Sequence, residues 1–167
     1  FDLGKQLYRI TGVDLTAIDG IESLTAQAVI SEVGFDLSMF ASEKHFTSWL
    51  TLSPENRITG GKIKGHRTRK SENRLATALR IAAQSLHSSK TALGAFFRRI
   101  RARKGAAKAI TATARKLACL IYRMLRYGME YVDQGQQQYE QRYQEHQCLL
   151  LQKRAAALGY QLTPIQN

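Results

Sequence analysis

The chain has 167 residues, 44% of them hydrophobic, and a formal net charge of +12. That is enough apolar material for one domain with a real core and too much for disorder by composition, and no apolar run approaches the roughly 18 residues a membrane span needs. The charge is concentrated: residues 57–126 hold 19 of the 25 Lys and Arg with Glu72 as their one acid, a single-sign block that a solvated face rarely carries and that a polyanion would suit.

In chain order, FDLGKQLYRITG (1–12) reads as the end of a helix closed by Gly12. Residues 15–34, LTAIDGIESLTAQAVISEVG, place a tight turn at Ile18-Asp19-Gly20-Ile21 between two apolar helical stretches. Ser23 stands where a cap would for the second, with Ala26, Ala28, Val29, Ile30 and Val33 on its buried side. This has the pattern of a helix-hairpin-helix. In that motif the hairpin glycine, here Gly20, lets backbone N–H groups approach a phosphate, aided by the next helix dipole. Asp19 opposes such a contact, and a plain αα-hairpin used for packing accounts for the same letters. SEKHFTSWL (42–50) reads as a short helix with Ser42 as cap and Phe46, Trp49 and Leu50 on one face, broken by Pro54.

Residues 51–71 are expected as an irregular, basic, glycine-containing loop. Helices then dominate. Leu75, Leu79, Ala82, Ala83 and Leu86 recur at helical spacing, followed by a short, very basic helix ending at Gly105. A long one follows with Ile110, Ala114, Leu117, Ala118, Ile121 and Leu125 as its stripe, then Gly128. The tail is one more helix, polar, with Tyr139 and Tyr143 spaced i, i+4, suited to lying along a partner or another helix as in a coiled coil. The class is all-α, with a main part over 1–128 and a helical extension over 129–167.

Several residues suggest chemistry. RITGGKIKG sets a hydroxyl, Thr59, beside Gly60 and Gly61 and among Arg57, Lys62, Lys64, Arg67, Arg69 and Lys70. Glycines let a backbone come close to a ligand, bases neutralise phosphates, and a hydroxyl there suits attack on a phosphodiester. On the residues alone, Thr59 as the cap of a turn among bases that merely bind backbone phosphates is the simpler reading. His66 could act as a general base or be one more polar side chain. His66-Arg67-Thr68-Arg69 also spells the HxxR string of tyrosine recombinases, with Tyr122 and Tyr127 downstream, although four letters in a glycine-containing loop carry little weight. No carboxylate cluster is complete within this chain for a two-metal site. Cys119 and Cys148 lack a CxxC partner or paired histidines, so they read as core or face residues of a helical protein in a reducing compartment. No signal peptide is visible. The chain opens on Phe1, not methionine, as an excised piece or the C-terminal part of a longer protein would.

Taken in order, LTAIDGIESLTAQAVISEVG, FASEKHFTSWLTLSPENRITGGKIKGHRTRKSENRLATALRIAAQSL, ALGAFFRRIRARKGAAKAITATARKLACLIYRML and the tail from Tyr127 resemble the C-terminal half of insertion-sequence 110/116/902 family transposases. The resemblance runs over nearly the whole chain. It implies a bacterial DNA recombinase of the cytoplasm and nucleoid. Such proteins have an N-terminal RNase-H-like domain with metal-binding acids, a coiled-coil linker and a C-terminal domain bearing a serine that joins DNA covalently. It further implies a structured guide RNA and homo-oligomers as partners, and no membrane. The family serine falls on Thr59, and Thr51 stands where the family has glycine. By this resemblance Arg57, Lys62, Lys64, Arg67, Arg69, Lys70 and Arg74 would hold DNA or RNA phosphates, with Gly60 and Gly61 between them. Arg98, Arg99, Arg101, Arg103 and Lys104 would form a second phosphate face. No cofactor is expected in this chain, magnesium belonging to the N-terminal domain, and alone the piece would bind without catalysing. A non-catalytic helical nucleic-acid-binding protein, or an inactive transposase remnant, is the alternative.

Overall fold

Side-chain caps set most of the helix starts. The computed structural model describes residues 2–60, 62–67 and 72–165, with backbone alone over 55–59 and 63–67. Asp2 accepts from the Lys5 amide to open α1 (Leu3–Thr11), and the Gly12 N–H closes it on the Tyr8 carbonyl. A 3-10 turn, Leu15–Ala17, is capped by Asp14 and leads through the tight turn into α2 (Ser23–Val33). Ser23 is the first residue of α2, not its cap. Glu22 holds the cap position without a side-chain bond. Ser42 caps α3 (Glu43–Trp49) and Asn73 caps α4 (Arg74–Ser85). Thr91 caps α5 (Ala92–Lys104), which Gly105 alone separates from α6 (Ala106–Tyr127). Gly105 sits at φ 87°, ψ 169°, a region essentially reserved for glycine, so it permits a one-residue connection between two packed helices. A last helix, α7, spans Gln136–Ala157.

The class is all-α, with one local departure. The segment expected as an irregular loop is a two-stranded antiparallel ribbon, β1 (Glu55–Thr59) and β2 (Lys62–Arg67). Thr59 pairs with Lys62, so two residues separate the paired strands, and Gly60, the first of them, takes φ 60°. Glycine suits that position because it adopts positive φ without a Cβ penalty. Between the pairs Arg57–Gly65 and Ile58–Ile63 the register slips, which makes Lys64 the extra residue of a β-bulge.

The core joins the 3-10 turn, α2, α3, α4 and α6. Ile18, Val29, Phe46, Leu50, Leu75, Leu79, Leu117 and Ile121 are fully enclosed. α4 buries the stripe its sequence announces. On α6, Ile110 and Leu125 are only half-buried, whereas Tyr122 is buried and donates to the Phe40 carbonyl at 2.9 Å. Trp49 stays 44% exposed, tilted on Phe40 at 5.5 Å. Glu43 and Arg123 tie α3 to α6 through two bonds of 2.7 and 3.0 Å. The Arg123 guanidinium holds the Glu43 carboxyl below its ordinary value. This partly exposed pair contributes about 0.5 kcal/mol, present above the usual carboxylate range and lost as pH falls through the lowered value.

The end of α3 positions the ribbon. The Leu52 N–H reaches the Thr47 carbonyl and the Thr51 N–H the Ser48 carbonyl, both at 2.9 Å. This is the Schellman pattern, whose pivotal residue adopts a left-handed conformation. Here that residue is Thr51 at φ 56°, the non-glycine residue with positive φ among those described. Its hydroxyl is buried without a partner.

Candidate nucleic-acid interface

The ribbon is the centre of the candidate interface. Buried Leu52, three residues before β1, anchors the chain where the ribbon begins, and buried Leu75 lies on α4 beyond residues 68–71, which are outside the described residues. Among the described residues its extensive contacts are those between its own strands. A lone two-stranded ribbon is marginal in water, so these strands rely on that anchoring or on a partner. Along them lie Arg57, Lys62, Lys64 and Arg67, with Thr59 and Gly60 at the tip. Lys62 is exposed. Gly61, Arg69 and Lys70 lie outside the described residues. Arg74, on the first turn of α4, is exposed and reaches Glu32 of α2 at 3.8 Å, too long and too wet a pair to hold it. Ser53, the serine nearest the ribbon, shares a 2.9 Å hydrogen bond with Thr47.

The second basic group divides. Arg101, Arg103 and Lys104 are exposed on the last turns of α5, where cations also suit the helix dipole. Arg98 is bound internally. It donates to the Ser89 carbonyl at 2.5 Å and to Gln136 Oε1, at the start of α7, at 2.8 Å. Arg99 lies beneath α7, with its guanidinium 4.1 Å from the Tyr143 ring centre and 5.0 Å from that of Tyr139. Lys116 joins this seam over the Phe96 ring at 4.5 Å. Burial, with the Arg99 and Arg123 charges beside it, pushes the Lys116 pKa below the ordinary lysine value.

The hairpin glycine faces inward. A side chain on Gly20 would stand 3.1 Å from the Ala82 carbonyl and 3.2 Å from Leu86, so the close approach it allows is to the end of α4. Asp19 beside it accepts hydroxyl bonds from Ser89 at 2.5 Å and Thr91 at 2.7 Å, fastening the hairpin to the start of α5. Tyr122, the first tyrosine of the HxxR alternative, is enclosed in the core and committed to Phe40, so it cannot reach a phosphate. Among the described residues no three His, Cys, Asp or Glu side chains gather as a metal would require. Cys119 is half-buried, with its thiol pKa raised by burial, and Cys148 is exposed.

The family model for the transposase IS116/IS110/IS902 family matches residues 14–98, just over half of the 167. The chain belongs to this transposase family. The matched span runs from the hairpin through the ribbon and α4 into the middle of α5, and so contains both the ribbon and the strained turn that carries it. α6 and α7 lie beyond it. No curated protein matches the chain. No helix among the described residues is long and apolar enough to cross a membrane. The transposase role rests on this family, which implies interaction with DNA.

The ribbon itself was open to sequence reading. Ile58-Thr59-Gly-Gly-Lys62-Ile63 is a two-residue hairpin signal. The density of bases draws attention to loop character and hides it.

Proposed function

We propose that this chain grips DNA through its basic ribbon and the exposed cations of α5, and that Thr59 at the ribbon tip is the attacking hydroxyl of a transposase. The observation that carries the reading is the ribbon, two paired strands that carry four basic residues, with Thr59 the last residue of β1. A two-stranded ribbon fits the major groove of a duplex, and its bases neutralise phosphates along the way. In the step itself, the Thr59 Oγ–P bond forms, the P–O bond to one sugar oxygen breaks, and the hydroxyl proton passes to a base or to water. Basic side chains near the phosphate would stabilise the added negative charge. Magnesium and its carboxylates would come from an N-terminal domain of a longer protein. In the same proposal, residues 129–167 form a helical extension and the full protein is a homo-oligomer, guided by a structured RNA at the nucleoid. Gly20 has its support as a packing residue. A phosphate contact at the hairpin would have to come from the turn's backbone.

Fluorescence anisotropy with a DNA duplex across a salt series tests the grip. Binding should weaken as salt rises, and Lys62→Ala with Lys64→Ala should weaken it further and flatten the slope by roughly 0.9 per lost phosphate contact. Salt-insensitive binding, or an unchanged slope in the double variant, would refute the ribbon's role. A protein–DNA adduct that survives denaturant in the longer protein, lost in Thr59→Ala, separates the catalytic reading from a purely binding one.

A further inference from the structure

A groove of about 470 Å³ opens where the C-terminal half of α4, the middle of α5 and the first turn of α6 meet. Ile81, Phe97, Ala106 and Ile110 line it with apolar surface, and Gln84, His87 and Arg101 line it with polar groups. Its size lies within the range of small-ligand sites. Ile81 is 66% exposed although α4 has a full buried stripe on its other side, so this face is apolar beyond what the core requires. The Arg101 side chain makes no hydrogen bond or ion pair among the described residues, unlike that of Arg98 three residues earlier.

The charge around the groove selects the occupant. α4, α5 and α6 contain no Asp or Glu at all. A second copy offering this same face would bring like charges together, which disfavours self-association. An aliphatic side chain of a protein would fill the apolar floor but leave Arg101 and the Gln84 amide without matching groups. A nucleotide answers both. Its base has an apolar face and a donor–acceptor edge, and its phosphate is the anion the rim lacks. The first turn of α6 begins at Ala106 with no side-chain cap, so its amides add donors on the same side.

We infer that this groove receives a single DNA base displaced from its stack, with Arg101 on the adjoining phosphate and Gln84 at the base edge. The inference rests on the DNA-binding reading above and adds a base-receiving site apart from the ribbon. Enzymes and binding proteins that handle opened DNA must house unstacked bases, and a base that is already unpaired costs least to move.

The test uses two otherwise identical DNA duplexes, one fully paired and one with a single bulged 2-aminopurine. The bulged duplex should bind about tenfold tighter, the size of one base's lodging on protein, and its fluorescence should rise as the base leaves the stack. Ala106→Phe, which fills the groove from an exposed position, should make the two affinities equal. Ile81→Ser, also exposed, should narrow the gap without risk to the core. Equal affinities in the unaltered protein, or a preference that survives both variants, overturns the inference while leaving the ribbon's role intact. A preference seen only with a bulged RNA duplex overturns the assignment to DNA. Failure to bind either duplex overturns both proposals together.

Discussion

Thr51 pivots the turn between α3 and the ribbon while holding a conformation its branched side chain resists. A left-handed L-residue costs roughly 1–2 kcal/mol, and more for one branched at Cβ. Its hydroxyl adds the cost of a buried polar group without a partner. The resemblance expects glycine there, and the backbone at φ 56° gives the physical reason. Thr51→Gly should therefore stabilise the protein by about 1 kcal/mol, after subtracting the greater freedom glycine has when unfolded. Thermal denaturation reads this as a rise of roughly 2–4 °C, and a fall would show that the threonine methyl packs more than the strain costs. Strain of this kind often sits at functional sites, and here it lies four residues before β1.

At the scale of elements, α5 is pressed against the short turn before it. A Cβ on Gly94 would stand 2.2 Å from the Ser89 carbonyl oxygen, a collision only backbone movement can relieve. Gly94→Ala should cost about 3 kcal/mol in overpacking against about 1 kcal/mol gained in helix propensity. The net loss of roughly 2 kcal/mol would appear as a melting temperature lower by about 4–8 °C, and an unchanged value would mean that the turn yields freely. The helices were legible because apolar spacing and capping residues act within a few positions: Leu75, Leu79 and Ala83 announce α4, and Ser42 announces α3. The ribbon was less so, since its alternation spans few residues and its bases dominate the composition. The fates of Arg98 and Arg99 were not legible at all. Both depend on α7, some forty residues further along the chain, and five neighbouring bases look alike until a distant helix covers two of them.

For the whole molecule, α7 is the outlier. It has no buried residue, and it meets the body through rings laid on Arg99 and Lys116 and a hydrogen bond to Arg98. Hydrogen exchange should show α7 amides exchanging much faster than those of α6, which buries eight residues. Equal protection would mean that α7 is held by more than this seam. The seam also sorts the positive charge into two kinds. Lys62 on the ribbon and the cations at the end of α5 face water, where mobile ions screen them within about 10 Å at 0.1 M salt. Those under the tyrosines are attached by ring faces from which water is partly excluded, and salt reaches them poorly. On the proposed reading, ionic strength would act on the grip and spare the architecture. On that reading there should be a range of salt in which the protein releases nucleic acid and is still folded, so that release and rebinding recur without a refolding step.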